Sequence, residues 1–418
     1  MTKSDDKRVP TLRFNGFTDE WEQRKLGDVL SKFDYGLNSA SSDYDGKNKY
    51  LRITDIDEQT HRFNLDNLTS PKVDLKNKDN YILHPGDIVF ARTGASVGKT
   101  YKYREDDGRV YFAGFLIRGR INKNFDTSFI FDTTLLPKYS NFVKITSIRS
   151  GQPGINSEEY KKYVINIPTI NEQKYISKLI TNLEELITLQ QRKLKLLKLL
   201  KKAMLQTLFT NKSIPNLRFI SFDKSWDIVK LKDVGKATGG TSIESEFTSI
   251  EGTHKVISIG SYKENHTYND QGIRVNLNDK TKKRVLNKDD LTMILNDKTT
   301  SGRIIGSVLL IPVDNVFVYN QRTERIEPNH KKFSSKFLYQ YLNSPNIRNK
   351  IVSNAQGNTQ IYVNWSSISK IKYLMPQKKE QDKISKLLFT LDFIINNQQL
   401  RIKKYERFKQ FLLQNMFI

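Results

Sequence analysis

At 418 residues the chain is long enough for two or three domains with proper cores, and 37% hydrophobic with 27% charged residues is the balance of a folded chain rather than a disordered one. The formal net charge of +24 draws polyanions, nucleic acid ahead of a membrane surface, although a lysine-rich coding bias would give the same excess; 19 Tyr and 23 Phe add stacking groups beside the charge. The lack of Cys excludes disulfides, thiolate metal sites and a cysteine nucleophile, while a charged N-terminal stretch and no run of about 18 apolar residues argue against a signal peptide or membrane span, so a cytoplasmic protein is expected.

Read from its start, the chain announces a duplication. Pro10, Leu12, Arg13, Phe14, Phe17, Trp21, Leu26, Asp28 and Val29 recur 205 positions later as Pro215, Leu217, Arg218, Phe219, Phe222, Trp226, Leu231, Asp233 and Val234. Short β-type runs then alternate with turn residues: Lys49 to Ile53, Asp87 to Arg92, Val110 to Ile117 and Val164 to Ile167. The second half offers Lys255 to Ile259, Leu291 to Leu295, Ile304 to Ile311, Val316 to Tyr319 and Ser369 to Leu374, with a helix around Ser334 to Leu342. Each half therefore reads as an α+β domain. Pro168 and Pro376 end the last strands just before long helices, since proline restrains the residue before it to extended backbone.

The stretch Asn171 to Phe209 contains neither Pro nor Gly and repeats apolar residues every seven positions, at Ile176, Leu183, Leu197 and Met204. Lys379 to Phe417 does the same with Ile384, Leu391, Tyr405 and Leu412. At about 1.5 Å per residue each would be a rod on the order of 58 Å, too long to hide in a compact domain. The two helices repeat at a spacing of 208, through Glu172/Glu380, Gln173/Gln381, Ile176/Ile384 and Ser177/Ser385. Each is the natural partner of the other, and a duplicated domain-helix unit predicts antiparallel pairing. Gln190 and Gln398 take the repeating apolar position at mid-helix, where their amides are expected to meet and fix the register. The expected blocks are a domain over 1–168, a helix over 169–212, a domain over 213–376 and a helix over 377–418.

Between the matching borders the halves diverge: residues 91–103 read ARTGASVGKTYKY, while 295–307 read LNDKTTSGRIIGS. Equal borders imply equal mechanical jobs; divergent polar loops imply different ligands or different parts of one ligand, against the simpler possibility of surface drift.

The two-fold repeat, the helix openings NEQKYISKL and KEQDKISKL, the helix endings MLQTLF and LLQNMF, and the lead-in segments with Trp21 and Trp226 resemble the DNA specificity subunit of type I restriction-modification systems over nearly the whole chain. The resemblance implies two DNA target recognition domains reading the halves of an interrupted, asymmetric double-stranded site, spaced by an antiparallel coiled coil, in a chain that is not itself catalytic and holds no cofactor. It implies two methyltransferase subunits, which bind S-adenosylmethionine and methylate adenine at N6, and restriction subunits that use ATP and Mg to translocate and cut DNA. The halves differ in the turn before one strand, Leu83 to Ile88 against Leu286 to Leu291. No base-contacting residue carries over, because recognition domains vary.

Enzyme readings fare badly against the residues. Gly94 to Thr100 looks like a phosphate loop, but a Walker A has four residues between its glycines and here there are three, with β-like sequence after them in place of a helix. An amino-methyltransferase needs an Asx-Pro-Pro-aromatic loop and a Gly-x-Gly turn, and neither occurs. Glu159-Tyr160-Lys161 lacks an assignable companion acid for a nuclease, and the five His show no metal-ligand spacing. A standalone DNA-modifying enzyme and a coiled-coil adaptor without a DNA role remain the alternatives.

The DNA-binding candidates are loop residues beside glycine. In the first half they are Arg92, Thr93, Ser96, Lys99 and Tyr101, with Gln152; in the second, Lys298, Thr299, Thr300, Arg303, Gln321 and Arg322, with Asn358 and Gln360. Arg can fork onto guanine and Gln or Asn onto adenine, while Lys and Thr mostly hold phosphates.

Overall fold

The structure, a computed structural model, describes residues 9–215, 217–249, 251–298, 301–358 and 360–418. It divides into two compact units, residues 1–191 with 400–418, and residues 192–399. The units cut across the sequence blocks because each includes the opening of one long helix and the closing stretch of the other.

In the first unit a four-stranded antiparallel sheet runs in the order Leu30–Tyr35, Leu116–Ile121, Asp87–Ala91, Thr100–Lys102. The second unit repeats it as Gly235–Gly239, Thr323–Pro328, Leu291–Ile294, Val308–Leu310. A parallel pair sits beside each: Lys49–Leu51 with Val110–Phe112, and His254–Ile257 with Phe317–Tyr319. Each unit is closed by a two-stranded ribbon, Glu22–Lys25 on Val164–Ile167 and Asp227–Lys230 on Lys372–Met375. The fold is α+β in both copies.

Two expected strands are broken. The run Val110 to Ile117 forms Val110–Phe112 and Leu116–Ile121 in different sheets, with a turn between them whose Leu116 amide donates to the Ala113 carbonyl. The run Ile304 to Ile311 yields only Val308–Leu310, because Gly306 adopts φ +68° in a turn first. Continuous apolar sequence conceals such turns, since both flanking strands are buried on both faces.

The long helices span Ile170–Leu208 and Lys378–Asn415. In the first unit Ile176, Ile180, Leu183 and Ile187 share a core with Leu412, Met416 and Phe417, and Lys409 pairs with Glu184 at 2.6 Å. In the second, Leu208 and Phe209 share a core with Ile384 and Leu388, and Lys201 pairs with Asp392. Start lies on end and end on start, so the helices run antiparallel. Gln398 is buried and Gln190 half-buried, and both are engaged by other residues.

The repeated border residues are the joints between helix and domain. Arg13 forks onto Glu172 at 2.7 and 2.8 Å, and Arg218 onto Glu380 at 2.7 Å twice. Gln173 accepts from the Asp126 amide and donates to the Pro168 carbonyl; Gln381 accepts from the Ser334 amide and donates to the Pro376 carbonyl. Asp126 and Ser334 are themselves N-caps, of helices Thr127–Thr133 and Ser335–Leu342. One amide thus ties a domain helix to the start of a long helix.

Candidate nucleic-acid interface

A cleft of about 730 Å³ opens at one end of the first sheet. Tyr35 ends one strand there, Arg92 follows the strand Asp87–Ala91, and Phe115 precedes Leu116–Ile121. The Arg92 guanidinium lies 5.1 Å from the centre of the Tyr35 ring, and the Arg92 amide donates to the Phe115 carbonyl at 3.0 Å. Tyr35 is held by Ser157, whose hydroxyl accepts from it at 3.3 Å. Phe115 is 56% exposed, an apolar ring presented to solvent beside a cation. Such a pair suits a polyanion whose bases offer π-faces.

Other first-half candidates gather beside Arg92. Thr93 bridges to Gly154, and the Gln152 side chain stands over Gly94, so the Gly151–Gly154 turn is held against the strand end. Ser96 lies in the next turn, and Lys99 reaches toward Glu58 at 3.9 Å. Tyr101 is a correction. It is fully buried, and its hydroxyl donates to Asp107, so its ring belongs to the core beneath the site. The glycine-rich run is no phosphate loop either: Gly98 packs against Val143 and the chain continues into the strand Thr100–Lys102, with no helix N-terminus to hold an anion.

The second unit carries a cleft of about 260 Å³ at the matching end of its sheet, lined by Gln321, Arg322, Glu324, Tyr362, Asn364 and Trp365 among others. Arg322 is exposed at φ +64°, and Gln321 donates to Glu244 at 3.0 Å. Asn358 and Gln360 stand on an exposed tip closed by the Gln356–Tyr362 bridge. Lys298 is exposed after the strand Asn296–Asp297, which pairs with Ile361–Tyr362. Arg303 instead pairs with Glu264 at 3.1 Å. Thr299 and Thr300 lie outside the described residues.

The ladder makes the two clefts equivalent. In the first sheet Tyr35, Ile117 and Phe90 form one row; in the second the row is Gly239, Glu324 and Met293. Tyr35, Phe115, Glu324 and Trp365 lie outside the set of polar loop residues beside glycine that the sequence singles out. A signal existed for two of them, in the aromatic-glycine neighbours Tyr35-Gly36 and Gly114-Phe115 at strand ends. Among the described residues no group of three or more His, Asp or Glu is placed to hold a metal ion, and no helix is long and apolar enough to cross a membrane.

Residues 18–199 and 223–404 each match the type I restriction modification DNA specificity domain. The chain belongs to that family. It is a type I specificity subunit with two specificity domains in tandem, and its function is recognition of DNA sequence. This specificity subunit is similar to the MjaVIII specificity subunit of a type I restriction enzyme from Methanocaldococcus jannaschii, 23% identical over 404 residues, covering 94% of this chain and 91% of that one. It is also similar to a putative MjaX specificity subunit from the same organism, 24% identical over 405 residues with the same coverage. Its fold matches the crystal structure of a type I restriction-modification S subunit from M. genitalium with a TM-score of 0.61, at 15% identity and covering 98% of this chain and 99% of the other. A second solved structure, described as concerning complex assembly and conformational transition of the type I R-M system, matches with a TM-score of 0.54, at 15% identity and covering 97% and 99%.

Proposed function

We propose that this specificity subunit is a non-catalytic cytoplasmic reader of an interrupted, asymmetric double-stranded DNA site, with one half-site taken by each unit. One observation carries this reading: two copies of one fold present clefts at the same end of the same sheet, and the clefts are lined by different side chains. Identical readers would suit a symmetric site; readers with Tyr35, Arg92 and Phe115 in one and Gln321, Arg322 and Trp365 in the other suit different sequences.

The paired long helices space the readers and offer surface to two methyltransferase subunits, which bring S-adenosylmethionine and methylate adenine at N6. Restriction subunits bring ATP and Mg and complete the assembly. Arg92, Thr93, Ser96, Lys99 and Gln152 serve the first half-site, and Lys298, Arg303, Gln321, Arg322, Asn358 and Gln360 the second.

Mapping of genomic adenine methylation with and without the gene tests the reading. One two-part motif with a fixed gap should vanish on deletion. Persistence of every motif, or ATP turnover or DNA methylation by the purified chain alone, would overturn it.

A further inference from the structure

Glu324 occupies an unusual place. In the first sheet the equivalent of its row position is Ile117, a fully buried core residue facing Phe90 and Tyr35. In the second sheet the aromatic of that row is replaced by Gly239, and the apolar centre by a carboxylate. Glu324 is only 4% exposed, yet it lines the cleft with Gln321, Arg322, Asn364 and Trp365.

Among the described residues the Glu324 carboxylate accepts no hydrogen bond and forms no ion pair. The charge that acts on it is Arg284, but that guanidinium is engaged by the Gly239 carbonyl at 2.6 Å and the Tyr319 and Thr241 hydroxyls at 3.0 Å. Burial pushes the Glu324 carboxyl up to about 7, Arg284 opposing. The Glu324 oxygens reach only the cleft, where solvent meets them, so a ligand that fills the cleft must bring a donor in place of that solvent. A leucine or isoleucine would serve a purely structural role better, as Ile117 does in the other copy.

We propose that Glu324 is a specificity-determining residue of the second unit, its carboxylate accepting a hydrogen bond from the exocyclic N4 amine of one cytosine in the target. The inference rests on the DNA-reading function above. Cytosine offers its N4 amine to a carboxylate on the major-groove edge without an acceptor beside it, whereas the N6 amine of adenine sits next to the N7 acceptor and guanine offers acceptors alone, which repel a carboxylate. Gly239, by lacking a side chain, leaves the carboxylate open to the cleft, where a tyrosine stands in the first unit.

The test uses the full complex with its methyltransferase subunits and duplexes carrying the mapped motif. Each cytosine in turn is replaced by 2-pyrimidinone, which is cytosine without its amine. One such replacement should weaken wild-type binding by about tenfold. The same replacement should cost the E324I complex nothing further, and E324Q, which keeps the shape, should bind the unmodified duplex more weakly. If no cytosine amine matters to the wild type, or if E324I feels its loss as the wild type does, the assignment is overturned. A wild-type complex that binds no duplex would overturn the reading beneath it as well, a separate and visible failure.

Discussion

The guanidinium of Arg13 holds the carboxylate of Glu172 in a two-pronged grip, and Glu172 is completely buried at the opening of the first long helix. Removing one partner strands a buried charge. E172A should stay mild only insofar as Arg13 can turn to water, whereas R13A should destabilise the first unit by about 3–5 kcal/mol, since it leaves the buried carboxylate alone. Hydrogen exchange over the Arg13 segment and the helix opening would read this, and unchanged protection in R13A would refute it.

Gly98 turns the chain at φ +86°, and a Cβ there would come within 2.5 Å of a Val143 methyl. Gly306 does the same at φ +68° against Ile351, at 2.6 Å. Left-handed backbone and overpacking act together, so G98A and G306A should each cost about 2–3 kcal/mol. Thermal unfolding of the full chain checks it, with exposed Gly46, which has no atom within 4 Å of an added Cβ, as the milder comparison.

Acid should act on the second unit in two opposite ways. Glu324 has its folded pKa raised by burial from 4.5 to about 7, so the folded state holds a proton that the unfolded state has released. Its contribution is present below about 4.5 and is lost as pH rises toward 7. His266 is lowered from 6.5 to about 4, by burial first and then by Arg348 and Lys201. Its contribution is present above 6.5 and is lost as pH falls toward 4. E324Q removes the first effect alone, so the stability difference between wild type and E324Q should change by about 3 kcal/mol between pH 4.5 and 7, with the wild type favoured on the acid side. A difference independent of pH would contradict this.

The first long helix carries 39 residues without interruption, roughly 58 Å of rod. Two readers approaching one face of the duplex should engage half-sites centred about one DNA turn, or about 10 base pairs, apart. Inserting four residues after Leu200, about 6 Å of helix, should widen the gap by about one or two base pairs and leave the half-site bases alone. Methylation mapping of the insertion variant decides, and an unchanged gap in an active complex would refute the spacer role.

The long helices, their antiparallel pairing and the duplication were legible because they rest on period and repetition. Glu172/Glu380 and Gln173/Gln381 were visible as matches, but their roles as joints were not, since their partners Arg13, Asp126, Arg218 and Ser334 lie tens of residues or more away in sequence. Tyr101 misled because an aromatic between Thr100 and Lys102 beside a polar loop looks like a stacking group, while its partner Asp107 sits across a turn. Glu324 was missed for the opposite reason. In the alternating run TERIEP a glutamate looks like the solvent face, and only the sheet register puts it beside Met293 and Gly239.

Phe417 packs edge-on to Trp21 and stacks on Phe129, and the Asn415 carbonyl accepts from the Leu12 amide. Residues 400–418, made after the whole of the second unit, therefore complete the first unit, whereas residues 192–399 form a continuous stretch. During synthesis the second unit can close as soon as it emerges, but the first must wait with Trp21, Phe129 and the Ile176–Ile187 face open to water until residues 400–418 have emerged. Translation order and folding order are thus inverted, and the nascent first unit is the natural client for a chaperone.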